Sequence, residues 1–396
     1  MNKTTGHLPF LDGIRGIAIV AVFLVHSLGN AFGLVQLDWN GLFRNFNADR
    51  SFLLLYPLTY GVAGVSVFFA VSGFCIHLSH KQSKEKGWMS FLNRRFFRLY
   101  PPYLLAILVF FFLWPFPLSI RSYDGAWQLV THLFAIHNLF SATTFGLNMS
   151  FWSIAVEIQL YAIYPILLLI TRKYGWRNGL IFVGCIEMLI RSADSFSTTF
   201  LGRSLPSIVT FSPFGYWLSW SVGAYVAQCF LDGRVSGLSR FRFDVVAVIA
   251  FTLPLFKPTS NFSFLAFSLA TGIAIDRLIS KRWELPKNLL FGYVWKHLSF
   301  LGLVSYSFYL FHQPIVNQAI CPLATHPRLT RMLEDYFSVS TDFHDLHPLV
   351  KFFICCAWYP AILALACLIY RVVERPSIEL GKALWKKFSV VPQISG

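Results

Sequence analysis

Charged side chains are scarce in this chain. Asp, Glu, Lys and Arg make up 13% of its 396 residues, whereas about a quarter of a soluble domain is charged. The 7 cysteines include no CxxC pair and no regular framework, and neither a low-complexity tract nor a fixed-period repeat is present. The low content of charged residues excludes a soluble domain. The cysteine pattern predicts free, buried thiols. The thiols that lie in apolar runs are Cys75, Cys185, Cys229, Cys355, Cys356 and Cys367.

Apolar residues dominate instead, at 56% of the chain, with 42 Phe. The formal net charge is +15, but the basic residues fall between apolar runs rather than along one stripe, as in the positive-inside pattern of membrane proteins. This pattern argues against nucleic acid as a partner. We expect the lipid bilayer as the surroundings and phospholipid or phosphate as the acidic partner.

We predict an all-α polytopic membrane protein with about ten transmembrane helices. The proposed spans are 13–33, 57–78, 99–118, 152–171, 178–193, 207–230, 243–257, 261–280, 298–320 and 350–373. The run 127–140, which carries His132 and His137, is too short and is predicted to be an interfacial or re-entrant helix. With both termini cytoplasmic, 22 of the 33 Lys and Arg lie on the inner side and 9 on the outer side. Counting 127–140 as a span would destroy this bias.

The chain is expected to form a single membrane domain over 1–396. No A-x-A-like site follows the first span, so we do not interpret that span as a cleavable signal peptide. The chain ends about twenty residues after the last span, and we expect no appended soluble domain. The outer segment 321–349 holds His326, His344 and His347, whose spacing matches no helical ligand pair. We predict a surface loop there and no metal.

Arg15 and His26 lie in LDGIRGIAIVAVFLVHS, a stretch that could otherwise cross a bilayer. Charged or titratable groups inside an apolar helix are costly unless they are paired, hydrated or functional. Eleven helical steps place the two side chains about 20° apart around the helix and about 16 Å apart along it. One helical face therefore presents a cation near one membrane surface and an acid/base group near mid-depth.

Two small clusters follow. Arg94, Arg95 and Arg98 lie in RRFFRLYPPY at the predicted inner start of the third span, where guanidinium groups suit either phosphate or lipid headgroups. The two prolines are expected at the helix start. Ser72 and Gly73 lie at the inner end of the second span, where either helix packing or a substrate channel would explain a small-residue pair.

Polar residues also enter the fourth and ninth spans. In WSIAVEIQLY, Trp152 is typical of an interfacial belt and Ser153 of a helix cap, while Glu157 lies more than one turn into the membrane. A carboxyl at that depth must pair, protonate or take part in function. In VSYSFYLFHQP, Tyr306 and His312 fall near mid-membrane. His312 is either a hydrogen-bonded core residue or a functional one.

These blocks resemble, in order, the acyltransferase family 3 of integral membrane proteins. They are LDGIRGIAIVAVFLVHS, VFFAVSGF, RRFFRLYPPY, WSIAVEIQLY, VSYSFYLFHQP and a late ERP, and they run from residue 11 to about 376. The resemblance implies a membrane O-acyltransferase of the bacterial inner membrane. Such an enzyme moves an acyl group, commonly acetyl, from cytoplasmic acyl-CoA to a sugar hydroxyl of a cell-surface polysaccharide or glycoconjugate.

The resemblance and the chemistry of the residues together predict roles for particular residues. The catalytic group would comprise His26 as the general base, with Arg15 and Glu157. The contacts to acetyl-CoA would come from Arg15, Ser72, Gly73, Arg94, Arg95 and Arg98. Contacts to the acceptor or to the oxyanion would come from Trp152, Ser153, Tyr306 and His312. We expect Ser72 or Ser153 to donate to the oxyanion and Glu157 to orient His26.

The acceptor is a carbohydrate that the sequence does not identify. Its recognition is expected in the outer segments 34–56, 119–151 and 321–349. Without an appended domain, the chain would either acylate the acceptor directly or pass the group to a separate extracytoplasmic transferase. The alternative function is a multi-pass transporter or flippase, which would be expected to show an inverted repeat. We see no matching halves.

Overall fold

The computed structural model describes residues 8–33, 50–83, 87–113, 118–286, 288–318 and 346–389. Within these ranges every regular element is helical and no strand occurs, which confirms the predicted all-α class. Six segments are long and apolar enough to cross a membrane. They are Pro9–Phe32, Phe52–Gln82, Trp88–Phe112, Phe151–Phe200, Ser260–Ile279 and Pro348–Lys387. The protein is thus an integral membrane protein, while the count of ten spans and the side of each terminus stay predictions.

The described α-helices number fifteen. In chain order they are α1 Pro9–Phe32, α2 Arg50–Leu55, α3 Ala63–Gln82, α4 Trp88–Phe112, α5 Tyr123–Leu133, α6 Phe151–Phe200, α7 Ser207–Thr210, α8 Trp217–Leu231, α9 Phe243–Thr252, α10 Ser263–Ile279, α11 Leu289–Leu303, α12 Ser305–Gln318, α13 Pro348–Ala357, α14 Tyr359–Ile369 and α15 Arg375–Ser389. Short 3₁₀ segments connect several of them, and a π-helical turn, Tyr370–Glu374, joins α14 to α15.

Helix α1 lies in the middle of the bundle, against α3, α11, α12 and α13. Its crossing with α11 is close enough to require glycine on both sides. A Cβ at Gly16 would lie 1.9 Å from the Leu298 carbonyl oxygen, and a Cβ at Gly302 would lie 1.8 Å from that of Asp12. Small residues permit this approach of two backbones in a membrane. The crossing fixes the end of α1 that carries Arg15.

Helices α3 and α8 cross in the same manner. A Cβ at Gly73 would lie 2.0 Å from the Trp220 carbonyl oxygen, and one at Gly223 would lie 1.8 Å from that of Ala70. Gly73 therefore has the packing role that the sequence left open. Its neighbour Ser72 is buried at this crossing and lines a cavity.

Helix α6 contains two of the predicted spans. Gly175 interrupts it with φ 77° and ψ 162°, a conformation in the positive-φ region that glycine adopts without steric cost. The two halves correspond to the predicted spans 152–171 and 178–193. The second half extends to Phe200, seven residues beyond the predicted end, because polar residues there pack against neighbouring loops rather than ending the helix.

The predicted start of the third span was wrong. Helix α4 begins at Trp88, so Pro101 and Pro102 lie inside it rather than at its start. The prediction followed the onset of the apolar run, but the arginine-containing turns before that run are already helical. The predicted ninth span is likewise divided at Val304, between α11 and α12.

The short run at 127–140 forms α5 and a 3₁₀ turn, His137–Leu139. At 11 residues, α5 is too short to cross a bilayer, in agreement with the predicted interfacial or re-entrant helix. His347 lies at the start of α13 and accepts a hydrogen bond from the Leu349 amide, 3.3 Å away. His326 and His344 lie outside the described residues.

The prediction that the thiols are buried is wrong for Cys185, which is exposed on the protein surface. Apolar side chains of a membrane helix can face lipid as well as other helices. An apolar run therefore does not imply that its residues contact other helices. Cys229 and Cys355 are buried, and Cys75, Cys356 and Cys367 are partly buried. All six thiols are free, as predicted.

Candidate active site

Seven of the predicted site residues surround one small cavity of about 100 Å³, which we call the arginine cavity. They come from α1, α3, α4, α6 and α12 and are Arg15, Ser72, Arg95, Arg98, Ser153, Glu157 and Tyr306. Tyr309 and Glu374 are among the further polar residues in its wall. Residues that are distant in sequence thus meet at the end of α1 that carries Arg15.

Arg15 is held in the wall of this cavity by two side chains. Its guanidinium lies 3.4 Å from Asp12 Oδ1, one turn earlier on α1, and donates to Cys75 Sγ on α3 at 3.3 Å. The Arg15 side chain keeps 18% of its surface exposed. The cation is therefore anchored between two helices while it still borders the cavity.

Ser72 and Glu157 form a hydrogen-bonded group across the α3–α6 interface. Ser72 Oγ donates to Glu157 Oε1 at 2.5 Å, and the Tyr161 hydroxyl donates to the same oxygen. Trp220 Nε1 donates in turn to Ser72 Oγ at 3.3 Å. Glu157 thus pairs with hydroxyl groups, and its described hydrogen bonds do not reach His26.

The three clustered arginines separate into two environments. Arg95 and Arg98 line the arginine cavity, whereas Arg94 lies outside its lining and donates to Ser90. Arg95 is buried, donates to Ser79 Oγ at 2.9 Å and lies over the Phe91 ring at 5.7 Å. Its buried Nε has no hydrogen-bond partner among the described residues. A buried donor of this kind suits an anionic ligand.

His26 and His312 contact each other directly. His26 Nδ1 and His312 Nε2 are 2.7 Å apart, and the ring centroids are 4.9 Å apart. His312 Nδ1 lies 2.8 Å from the Tyr309 carbonyl oxygen, which can only accept. A neutral His312 must therefore carry its proton on Nδ1 and accept at Nε2 from His26 Nδ1. This arrangement leaves the lone pair of His26 on Nε2, which makes no hydrogen bond within the described part of the chain.

His26 lines a second and larger cavity of about 670 Å³, which we call the histidine cavity. Trp152 and Ser150 border it as well, together with the polar end of the second half of α6. Val65 and Tyr309 line both cavities. The two cavities thus share a wall, with Arg15 on one side and His26 on the other.

The shared wall contains a pair of hydroxyl groups. Ser153 Oγ and the Tyr309 hydroxyl are 2.7 Å apart. Helix α6 begins at Phe151 after Ser150, so Ser153 lies within the first turn and is not the cap that the sequence suggested. Tyr306 belongs to the arginine cavity, where its hydroxyl donates to the Leu99 carbonyl oxygen at 2.8 Å.

A buried ion pair in the second half of α6 was missed from the sequence. Arg191 donates to Glu187 Oε1 at 2.9 Å, and both side chains are buried. Glu187 also accepts from the amide and the hydroxyl of Ser219, at 2.9 and 2.5 Å. The i, i+4 spacing of opposite charges inside an apolar run was the signal that could have found it. Among the described residues, no group of three or more His, Cys, Asp or Glu is arranged to hold a metal ion.

Comparisons with known proteins identify the family. Residues 8–318 match the family described as an acyltransferase domain. The chain is 23% identical over 364 residues to the peptidoglycan O-acetyltransferase OatA of Listeria monocytogenes, covering 84% of this chain and 54% of that protein. It is 30% identical over 178 residues to the acyltransferase MdmB of Streptomyces mycarofaciens, covering 43% of this chain and 42% of the relative.

A putative O-acetyltransferase of Staphylococcus aureus is 26% identical over 208 residues, which are 46% of this chain and 30% of that protein. The chain spans about half, or less, of the length of these curated relatives. No solved structure matches it. Because the family match covers most of the chain, the protein belongs to the acyltransferase 3 family.

Proposed function

We propose that the protein is a membrane O-acyltransferase that moves an acyl group, acetyl in the simplest case, from acyl-CoA to a sugar hydroxyl. The observation that carries this proposal is the pair of cavities separated by Val65 and Tyr309. One cavity presents arginines, and the other presents an imidazole with a free lone pair together with cations of its own. Such a division suits a reaction in which an anionic donor and a hydroxyl acceptor approach from opposite sides.

The arginine cavity is the proposed donor site. The bias of Lys and Arg supports a cytoplasmic position for this end of α1, where acyl-CoA is available. A ligand pocket for a whole organic molecule usually exceeds 300 Å³, whereas this cavity has about 100 Å³. We therefore assign it to one part of the donor rather than to the whole molecule. Arg95 and Arg98, which line it, would bind phosphate oxygens of the donor, while Arg94 would act from outside the lining.

His26 is the proposed general base. Its Nε2 would accept the proton of the acceptor hydroxyl as that oxygen attacks the thioester carbonyl carbon. The new carbon–oxygen bond forms, the carbon–sulfur bond breaks, and the CoA thiolate leaves. His26 then returns its proton to the thiolate. His312 is a positioning residue in this proposal, because its Nε2 holds the Nδ1 proton of His26 and so directs the free lone pair to the opposite ring nitrogen.

Two assignments follow from the contacts of the hydroxyl groups. Ser72 donates to Glu157, so its proton is already engaged. The Ser153–Tyr309 pair lies in the shared wall, and we assign the oxyanion contact to it. Glu157, which accepts from Ser72 and Tyr161, would shape the donor cavity and balance the charge of Arg15.

The relatives support the acceptor class. One is named a peptidoglycan O-acetyltransferase, so a saccharide of the cell envelope is the proposed acceptor here, in a bacterial inner membrane. Trp152 borders the histidine cavity and offers an aromatic face to a sugar ring. Either direct transfer or transfer to a separate extracytoplasmic transferase is compatible with the open histidine cavity.

The proposal is tested with membranes that contain the full chain and acetyl-CoA labelled in the acetyl group. Label should appear on envelope saccharide, and membranes without the chain should show none. Accumulation of unlabelled saccharide across the membrane would instead support the transporter alternative. Absence of both label transfer and saccharide movement would contradict the enzyme assignment.

A further inference from the structure

The second half of α6 carries a row of buried polar side chains that no role above explains. Glu187, Arg191, Ser195 and Ser197 are buried, and Asp194 is partly buried. Spacings of three and four residues place most of the row on one side of the helix. Arg191 and Asp194 line the histidine cavity. The row therefore begins at Glu187, inside the protein, and reaches the proposed acceptor site at Arg191 and Asp194.

Three hydrogen bonds from this row hold the loop between α9 and α10. Arg191 Nη1 donates to the Asn261 carbonyl oxygen at 2.6 Å, and Asn261 Nδ2 donates to Asp194 Oδ2 at 2.9 Å. Ser195 Oγ donates to the Pro258 carbonyl oxygen. Lys257, a half-buried residue in the cavity lining, belongs to this loop. Its backbone position is thus fixed relative to α6.

The same row holds the segment after α6. Ser197 Oγ donates to the Arg203 carbonyl oxygen at 2.7 Å, and the Leu205 amide donates to Asp194 Oδ1 at 2.9 Å. Arg203 lines the cavity and is exposed. One helix face therefore positions two cations, on two different loops, around a single cavity.

The charges of this cavity do not cancel. Glu187 compensates Arg191 through their ion pair, and both Asp194 oxygens accept from neutral donors. Lys257 and Arg203 have no ion-pair partner in the part of the chain that the structure describes. Two cations thus face one carboxylate. Three of the nine Lys and Arg predicted on the outer side, Arg191, Arg203 and Lys257, line this one cavity.

We propose that the histidine cavity selects an anionic saccharide, whose carboxylate or phosphate pairs with Lys257 and Arg203. This inference rests on the proposed function and names the acceptor class. An acceptor bound by its charge to these cations would present a hydroxyl to His26, which lines the same cavity. The arginines of the donor site cannot supply this contact, because they line the other side of the shared wall.

The inference is tested by calorimetry on the full chain in nanodiscs of neutral phosphatidylcholine. The carboxylate probe is a disaccharide of glucuronic acid and N-acetylglucosamine, compared with its methyl ester. The phosphate probe is lactose 1-phosphate, compared with lactose. At least one anionic probe should bind roughly tenfold more tightly than its neutral counterpart. The probe with the larger ratio identifies the source of the charge.

Lys257→Ala combined with Arg203→Ala should abolish this preference, and Lys257→Arg alone should preserve it. Arg172→Ala is the matched control, because it removes an exposed arginine that lies outside the lining of both cavities and outside the segments predicted to recognise the acceptor. Equal binding of charged and neutral probes, no binding of any probe, or a preference that survives the double variant would each overturn the inference. Anion selectivity without any transfer of labelled acetyl would instead contradict the proposed function alone.

Discussion

The arginine cavity and the histidine cavity use charge in different ways. In the arginine cavity, Arg15 and Arg95 are buried or partly buried side chains on membrane helices, held by weak or partial partners such as Cys75 and Ser79. In the histidine cavity, the buried Arg191 is fully engaged by Glu187 and two carbonyl oxygens. Its uncompensated cations lie on loops instead.

This difference separates two tasks. Buried cations with unmet hydrogen-bonding capacity provide strong binding for an anion of fixed shape, as expected for a donor that is the same in every turnover. Loop cations around a larger cavity can be replaced without disturbing the helices. The proposed acceptor site is therefore the site at which we expect specificity to change.

The largest expected effect tests this division of tasks by removing the imidazole that lines the histidine cavity. His26→Ala should lower kcat by about 10³-fold, because it deletes the proposed general base, while the KM for acetyl-CoA should change little. Initial rates of labelled acetyl transfer measure both quantities. His297→Ala is the matched control, since His297 is an imidazole that lines neither cavity and bonds to Tyr359. Wild-type kcat in the His26 variant at normal protein level would rule out the base assignment.

The next largest effect compares Arg95, which lines the arginine cavity, with Arg94, which does not. Arg95→Ala should raise the KM for acetyl-CoA about 10- to 100-fold, the range for loss of hydrogen bonds to a charged group, and Arg95→Lys should recover only part because it lacks the planar fork. Arg94→Ala, which changes a residue outside the lining, should raise KM less than threefold. Equal effects at both positions would show that the cluster acts as a surface anchor rather than as part of a donor site.

Most polar residues of the proposed donor cavity could be predicted from the sequence, but fewer residues of the proposed acceptor cavity could. Arg15, Ser72 and Glu157 were recognisable because polar groups inside apolar runs are rare and costly, and their convergence followed from family resemblance. The contact between His26 and His312 joins residues 286 positions apart. No periodicity in one sequence reports such a pairing.

The acceptor side depends on loops whose position is set by tertiary hydrogen bonds. The sequence assigned recognition to 34–56, 119–151 and 321–349, of which 34–49 and 321–345 lie outside the described residues. Arg203 and Lys257 fall in none of these segments, yet α6 brings both to the cavity. The predicted start of helix α4 was wrong for a related reason. The apolar run that begins near residue 99 indicates where the helix enters lipid, whereas α4 itself begins at Trp88.

The smallest expected effect tests whether His312 acts only through His26. His312→Ala should lower kcat about tenfold with unchanged KM for acetyl-CoA. His26 keeps its basic Nε2 but loses the His312 nitrogen that accepts the hydrogen bond from its Nδ1–H. His312→Gln, which retains a donor and an acceptor, should recover part of the rate. In a His26→Ala background, removal of His312 should cost almost nothing further, since two residues that act as a unit are not additive. Additive losses in that double variant would show that His312 contacts the acceptor or stabilises the fold independently, and the chemistry of the histidine cavity would then not depend on the imidazole of His26 alone.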